Sequence, residues 1–236
     1  MRILSIALLA AASVLSIQAQ EKIISSAEFA AAERTADATF QAKQVPARWT
    51  LSTESRMEGR PQTDWVSRTV MEFGTNGSRR HSGQSTLGGS PVKQETVIKI
   101  GDKTYHKADG EEWKEGAVET DRGPSEETIS EPPITYTHVE YKYLGSGVLN
   151  GKKVRMYLKT EGRKQTAKDA VVVSESEAST KYWFGESSDF YRSEYRSTTK
   201  TGDKIFHGII TIEKELDPSI SISAPEISTS VSTPEK

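Results

Sequence analysis

The residues able to do acid–base or metal chemistry are few and scattered. Four histidines occur, His81, His106, His138 and His207. None stands four residues from another on a helical pattern, and no H-E-x-x-H run occurs, so no metal site is expected. Carboxylates crowd together at Glu111-Glu112, at Glu126-Glu127, and at Glu175 with Glu177. Such pairs do acid–base work only when they converge in one cleft with divided pKa values. Closeness along the chain does not establish convergence, and solvated faces and loops are the plainer reading. There is no G-x-S-x-G elbow, P-loop or G-x-G-x-x-G turn. Arg79-Arg80 beside His81 reads either as a grip on an anionic head group or as a solvated loop tip. With no cysteine in the chain, disulfides, zinc thiolates, cysteine nucleophiles and a lipid anchor on cysteine are excluded. The expectation is a protein with no catalytic residues, no metal and no cofactor. A hydrolase built on a carboxylate pair is the competing enzymatic reading.

Aromatic residues carry more signal. Trp49, Trp65, Trp113 and Trp183, with Tyr136, Tyr141, Tyr143, Tyr157, Tyr182, Tyr191 and Tyr195, all fall in strand-like stretches. In a closed small barrel they would fill the interior; in an unclosed one they would line a cavity. Both readings stay open at this point.

The elements that must position these residues begin with targeting. Residues 1–19 read as a secretory signal: Arg2 supplies the positive end, an apolar run follows from Ile3 to Ile17, and Ala19 closes a cleavage site. The run is shorter than the roughly 20 residues a membrane-spanning helix needs. The expected product is periplasmic or secreted, with no stable membrane anchor. The 31 basic and 33 acidic residues give a net charge of −2 and no electrostatic reason to expect nucleic acid.

Ser25-Ser26-Ala27-Glu28 has the capping-box arrangement, and Ala27 to Lys43 is rich in Ala and Glu with no Gly or Pro, so a helix is expected there. Phe29, Ala32, Ala36 and Phe40 form its apolar stripe, Ile23 is placed to staple its start, and Pro46 ends it. After Pro46 the pattern becomes strands: Trp49–Met57, Trp65–Phe73, Val92–Ile100, Lys103–Lys107, Glu111–Glu115, Thr135–Leu144, Val154–Lys159, Ser179–Phe184, Asp189–Ser197 and Lys204–Lys214, closing with Ile220 and Ile222. Turns are expected at Gly101-Asp102, Asp109-Gly110, Asn150-Gly151 and Gly202-Asp203. Gly74–Pro91, Arg122–Pro133 and Ala224–Lys236 read as loops or tail, and Gly145-Ser146-Gly147 as a loop. The fold class is mainly β: a single curved antiparallel sheet or unclosed barrel with the N-terminal helix across its opening. One domain spans 20–223, with a disordered tail over 224–236.

The last third carries a resemblance. Thr180-Lys181-Tyr182-Trp183-Phe184-Gly185 followed by Tyr191-Arg192-Ser193-Glu194-Tyr195, and the ending Glu215-Leu216-Asp217-Pro218-Ser219-Ile220-Ser221-Ile222-Ser223-Ala224-Pro225, resemble the LolA/LolB/LppX-like lipoprotein-carrier superfamily. The resemblance implies a strongly curved, unclosed sheet with helices across its mouth and an acyl chain or similar apolar molecule inside. Without a cysteine anchor, the soluble LolA-like layout is the one implied.

The functional expectation is an exported, soluble binding protein for a lipid or other apolar ligand, acting as a lipoprotein or lipid carrier in the cell envelope. Envelope proteins are its expected macromolecular partners. Trp65, Met71, Phe73, Tyr143, Met156, Leu158 and Trp183 are the expected ligand-facing residues, and Phe29 and Phe40 the lid-helix anchors. The alternative is a non-catalytic envelope interaction module with a filled core.

Overall fold

A computed structural model describes residues 21–42, 45–116, 134–166 and 173–227, with the side chains of 39–42, 76, 93 and 173 also outside the description. The expected signal over 1–19, the stretch Arg122–Pro133, the Glu126-Glu127 pair, the tail beyond 227 and the Phe40 side chain therefore lie outside the described residues.

Helix α1 (Ser26–Ala42) begins where its cap residues dictate. The Ser25 N–H donates to Glu28 Oε2 at 2.8 Å, and the Glu28 N–H donates back to Ser25 Oγ at 3.2 Å. This reciprocal bonding satisfies amide groups that have no partner inside the helix. The residue before the cap, Ile24, packs against the same cluster as Phe29 and so acts as the staple. Ile23, expected in that role, is 68% exposed, because a short first strand, β1 (Lys22–Ile24), turns it outward.

The remaining strands are β2 (Ala47–Met57), β3 (Trp65–Phe73), β4 (Arg79–Leu87), β5 (Ser90–Ile100), β6 (Lys103–Ala108), β7 (Lys114–Glu115), β8 (Ile134–Leu149), β9 (Lys152–Thr166), β10 (Val173–Gly185), β11 (Phe190–Thr201) and β12 (Lys204–Leu216). All join one curved, unclosed antiparallel sheet in the order β1-β8-β9-β10-β11-β12-β2-β3-β4-β5-β6-β7. Two meanders, β2–β7 and β8–β12, meet where β12 pairs with β2, from Phe206 opposite Met57 to Leu216 opposite Ala47. The β8–β9 turn uses Asn150 and Gly151, with φ of 50° and 76°. This left-handed pair matches the twist of the flanking strands.

Several stretches depart from expectation; of Glu111–Glu115, expected as a strand, only Lys114–Glu115 is one. Arg79–Leu87, expected within a loop, is a full strand paired on both sides; its Gly and Ser content masks a strand that neighbours enforce. Gly145 to Gly147 belongs to β8, where a bulge near Tyr143 absorbs the irregularity. Ile220 and Ile222 lie outside any strand, after β12, although Ile220 is buried.

The helix packs on β8, β10 and β11. Its Phe29 ring sits 5.0 Å from Tyr141, 6.0 Å from Tyr157 and 4.9 Å from Tyr182. Beneath them Phe184, fully buried, lies 5.2 Å from Tyr157 and stacks at 5.6 Å on Tyr191. Aromatic pairs at such spacings add to the area they bury. On the opposite face a different device holds β2, β3 and β4 together. Glu72 is 6% exposed and receives Arg48 at 3.0 Å and the Arg80 Nε–H at 2.5 Å. Arg48 also reaches Asp217 at 3.3 Å, tying down the segment after β12.

Two variants test this packing. Phe184→Ala is expected to lower unfolding stability by about 4 kcal/mol, read by urea denaturation; a loss under about 1 kcal/mol would contradict the packing. Phe29→Asp is expected to release the helix while the sheet persists, seen as rapid protease cleavage within 26–42 with an unchanged β-sheet circular dichroism signal.

Candidate functional site

Cross-strand partners share a face of a sheet, and successive residues alternate between faces. A row of direct partners therefore runs across the helix-bearing face: Phe184, Tyr191, Lys214, Trp49, Met71, His81 and Val97. Phe184 and Tyr191 are shaded by α1. Beyond Lys214 the row continues over the seam between the two meanders, where Trp49, Leu51, Met71 and Phe73 are half-buried. The Trp49 and Phe73 rings are 4.9 Å apart.

The seven expected ligand-facing residues divide between the faces. Tyr143 joins the aromatic cluster beneath α1, 5.2 Å from Tyr157. Met71 and Phe73 lie on the same face, and Trp65 follows by alternation along β3. Met156, Leu158 and Trp183 flank Tyr157, Tyr182 and Phe184 in the chain and so point to the opposite face, where Trp183 sits opposite Met156 and beneath the Arg192 guanidinium at 5.5 Å. Apolar residues occupy both faces of β9 and β10, so hydrophobicity alone could not tell them apart. Phe29 docks the helix, as its position in the stripe predicts.

An open cleft of about 550 Å³ lies where the helix meets β11 and β12, lined by Glu33, Arg34, Asp37, Ala38, Tyr191 and Lys214. The Lys214 ammonium donates to Asp37 Oδ1 at 3.1 Å. It also lies 4.7 Å from the Trp49 ring centre and 5.1 Å from that of Tyr191. Two ring faces and a carboxylate thus hold one cation, an arrangement that strengthens as water is excluded. Glu33 stands one helical turn before Asp37. Burial, and then the Asp37 charge, hold its carboxyl above the ordinary range, against the opposing pull of Lys159 and Lys214. The hydroxyl of Tyr182 is pushed up to about 12, by burial first and by Glu33 second. Tyr191 is raised mainly by burial.

Further along the same face Glu161 is 2% exposed between Lys159 at 2.6 Å and Arg163. Burial alone would raise its carboxyl, but the hydrogen bonds and charges of Lys159 and Arg163 outweigh burial and hold it low. The two carboxyls are thus shifted in opposite directions, Glu161 downward by its cations and Glu33 upward by burial and Asp37.

None of the carboxylate pairs singled out by sequence spacing converges among the described residues. Glu111 pairs with Lys114 at 2.7 Å, Glu175 with Lys164 at 3.1 Å, and Glu177 with His138 at 3.5 Å. The pair that the fold brings into a cleft is Glu33 with Asp37, which the chain reading passed over. Its signal was present: a four-residue spacing beside the Ala32 and Ala36 stripe puts both at the rim of the buried helix face. Arg79-Arg80-His81 is split by strand alternation, with Arg80 committed to Glu72 and Arg79 over the Phe73 ring at 5.9 Å. His207 bonds Glu58 at 2.8 Å and Thr198 at 3.1 Å on the opposite face. No group of three metal-ligating side chains is gathered among the described residues.

The raised Glu33 acid gives a signed prediction. A carboxyl held above its unfolded value favours the docked helix in its neutral form. That contribution is present below the ordinary carboxylate pKa and is lost as pH rises through the raised value. Glu33→Gln is therefore expected to increase amide protection in α1 a few-fold at neutral pH and to leave it unchanged at pH 4. Hydrogen exchange corrected for intrinsic rates checks this; equal protection at both pH values would refute it.

No family model matches the chain, and no curated protein is similar to it. Among solved structures it is similar to an S-type phycobiliprotein lyase, CPES, from Guillardia theta, at 9% identity and a TM-score of 0.24, over 78% of this chain and 93% of that one. None of these comparisons shows the lipoprotein-carrier family. The similar structure is of a lyase, against the expectation of a non-enzyme; a likeness at that score and identity assigns no activity to this chain and excludes none.

Proposed function

We propose that this chain is an exported binding protein for an apolar small molecule, held on the helix-bearing face beside α1 and carried through the cell envelope. The observation that supports this most directly is the half-buried apolar stretch Trp49, Leu51, Met71 and Phe73, which adjoins the open cleft at Lys214. Apolar side chains that stay partly wet gain when a ligand covers them, by about 25 cal/mol per Å². An acyl chain adds about 0.8 kcal/mol for each CH₂ it buries. The helix is a suitable cover because its attachments are few in kind: the Phe29 insertion at one end and the Asp37 ion pair nearer the other.

Export rests on the reading of residues 1–19, and a role with lipid or lipoprotein cargo rests on the resemblance in residues 180–225. The Tyr157 and Phe184 cluster supports the alternative of an envelope interaction module, since that half of the face is filled by the protein itself.

The test is binding of a neutral fluorescent probe, N-phenyl-1-naphthylamine, together with native mass spectrometry of gently purified protein. Met71→Glu, which places a charge on the helix-bearing face, is expected to weaken probe binding about tenfold, close to 1.4 kcal/mol. Val66→Glu, on the other face of the same strand, is expected to leave it unchanged. A clean apo mass with no probe response in the unaltered chain would decide for the interaction module.

A further inference from the structure

On the reading above, the remaining question is the head-group chemistry of the ligand. Lys214 sits at the boundary between the aromatic cluster under α1 and the half-buried apolar stretch over the seam. Its side chain is 19% exposed, whereas that of Asp37 is 42% exposed. A lysine charge at this depth among rings needs an anionic partner. That partner comes from a helix rather than from the sheet, so it is present only while that part of the helix stays docked. Among the described residues, the neighbouring ion pairs on this face, Lys159 and Arg163 with Glu161, are made within the sheet. Lys214 alone among these has its carboxylate on the movable element.

We propose that the ligand is a single-chain amphiphile with an anionic head, and that its head takes the place of Asp37 on Lys214 while its chain lies over Trp49, Met71 and Phe73. The row of cross-strand partners sets the geometry. Trp49 stands opposite Lys214, and Met71 stands opposite Trp49. A head on the ammonium therefore directs its tail along the apolar residues of β2 and β3, away from the packed cluster. Arg34 lines the same cleft and adds positive charge at its mouth. Exchange of one carboxylate for another keeps Lys214 paired throughout and frees the Asp37 end of the helix. Head capture and helix release are thereby one event.

The experiment is isothermal titration of the full chain with dodecanoate, methyl dodecanoate and dodecyltrimethylammonium, all below their micellar concentrations. Dodecanoate is expected to bind at least tenfold more tightly than its methyl ester. Lys214→Met is expected to bring that ratio near one. Asp37→Asn, which removes the internal competitor and keeps the side-chain shape, is expected to raise dodecanoate affinity several-fold. It also serves as the test should Lys214→Met fail to fold. Equal binding of acid and ester by the unaltered chain, or tighter binding of the ammonium amphiphile, overturns the inference and leaves the apolar-ligand reading standing. Failure of all three amphiphiles to bind overturns that reading, and the inference with it.

Discussion

The pairing of β12 with β2 is the constraint on which everything else rests. Each meander can form from local hairpins, but neither alone makes the helix-bearing face continuous. The pairing sets Lys214 opposite Trp49 and so joins the aromatic half of the face to the aliphatic half. It also brings Lys214 to Asp37, 177 residues away in the chain. A one-residue slip would turn Lys214 and Trp49 to opposite faces and dismantle the cleft. The ion pairs of Arg48 with Glu72 and Asp217 work against such a slip, because they bind β2, β3 and the segment beyond β12 in a single register.

The two faces of the sheet are stabilised by different physics. Under α1 the contacts are aromatic and nearly dry. Across the opposite face charged pairs are interleaved with apolar residues such as Val154, Met156 and Trp183: Arg48 with Glu72 and Arg80 near the seam, then Arg192 with Glu194 and Glu213 further along. Such rows of alternating charge suit a face without a covering helix, since each side chain keeps an apolar stem on the sheet and a head in water. The modest hydrophobic content, 34% of residues, fits the single sheet and one α-helix of the described residues, which have less interior to fill than two packed layers.

What could be read from the chain was what depends on neighbours in sequence. The capping box, the helix and the Asn150-Gly151 and Gly202-Asp203 turns are local, and they formed where their residues dictate. Strand β4 was hidden because Gly83, Ser82 and Ser85 have little strand preference, and only β3 and β5 on either side impose it. The facing of β9 was hidden for a different reason. Val154, Met156 and Leu158 are as apolar as the site requires, yet Tyr157 is the residue that meets the helix. The cleft itself was invisible, because Glu33 and Asp37 gain meaning only once the seam has delivered Lys214 beneath them.

The sheet never closes on itself, and its two margins are unequal. Strand β8 runs for 16 residues, yet β1 pairs with it only from Tyr141 to Tyr143. Among the described residues, the stretch from Ile134 to Glu140 thus has a neighbouring strand on one side alone. Ile134, Tyr136 and Val139 there are 44%, 53% and 43% exposed. Such a border, rich in β-branched and aromatic residues and free of proline and lysine, is a template for strand addition. Crowding or partial unfolding thus finds a ready site for strand pairing at that border.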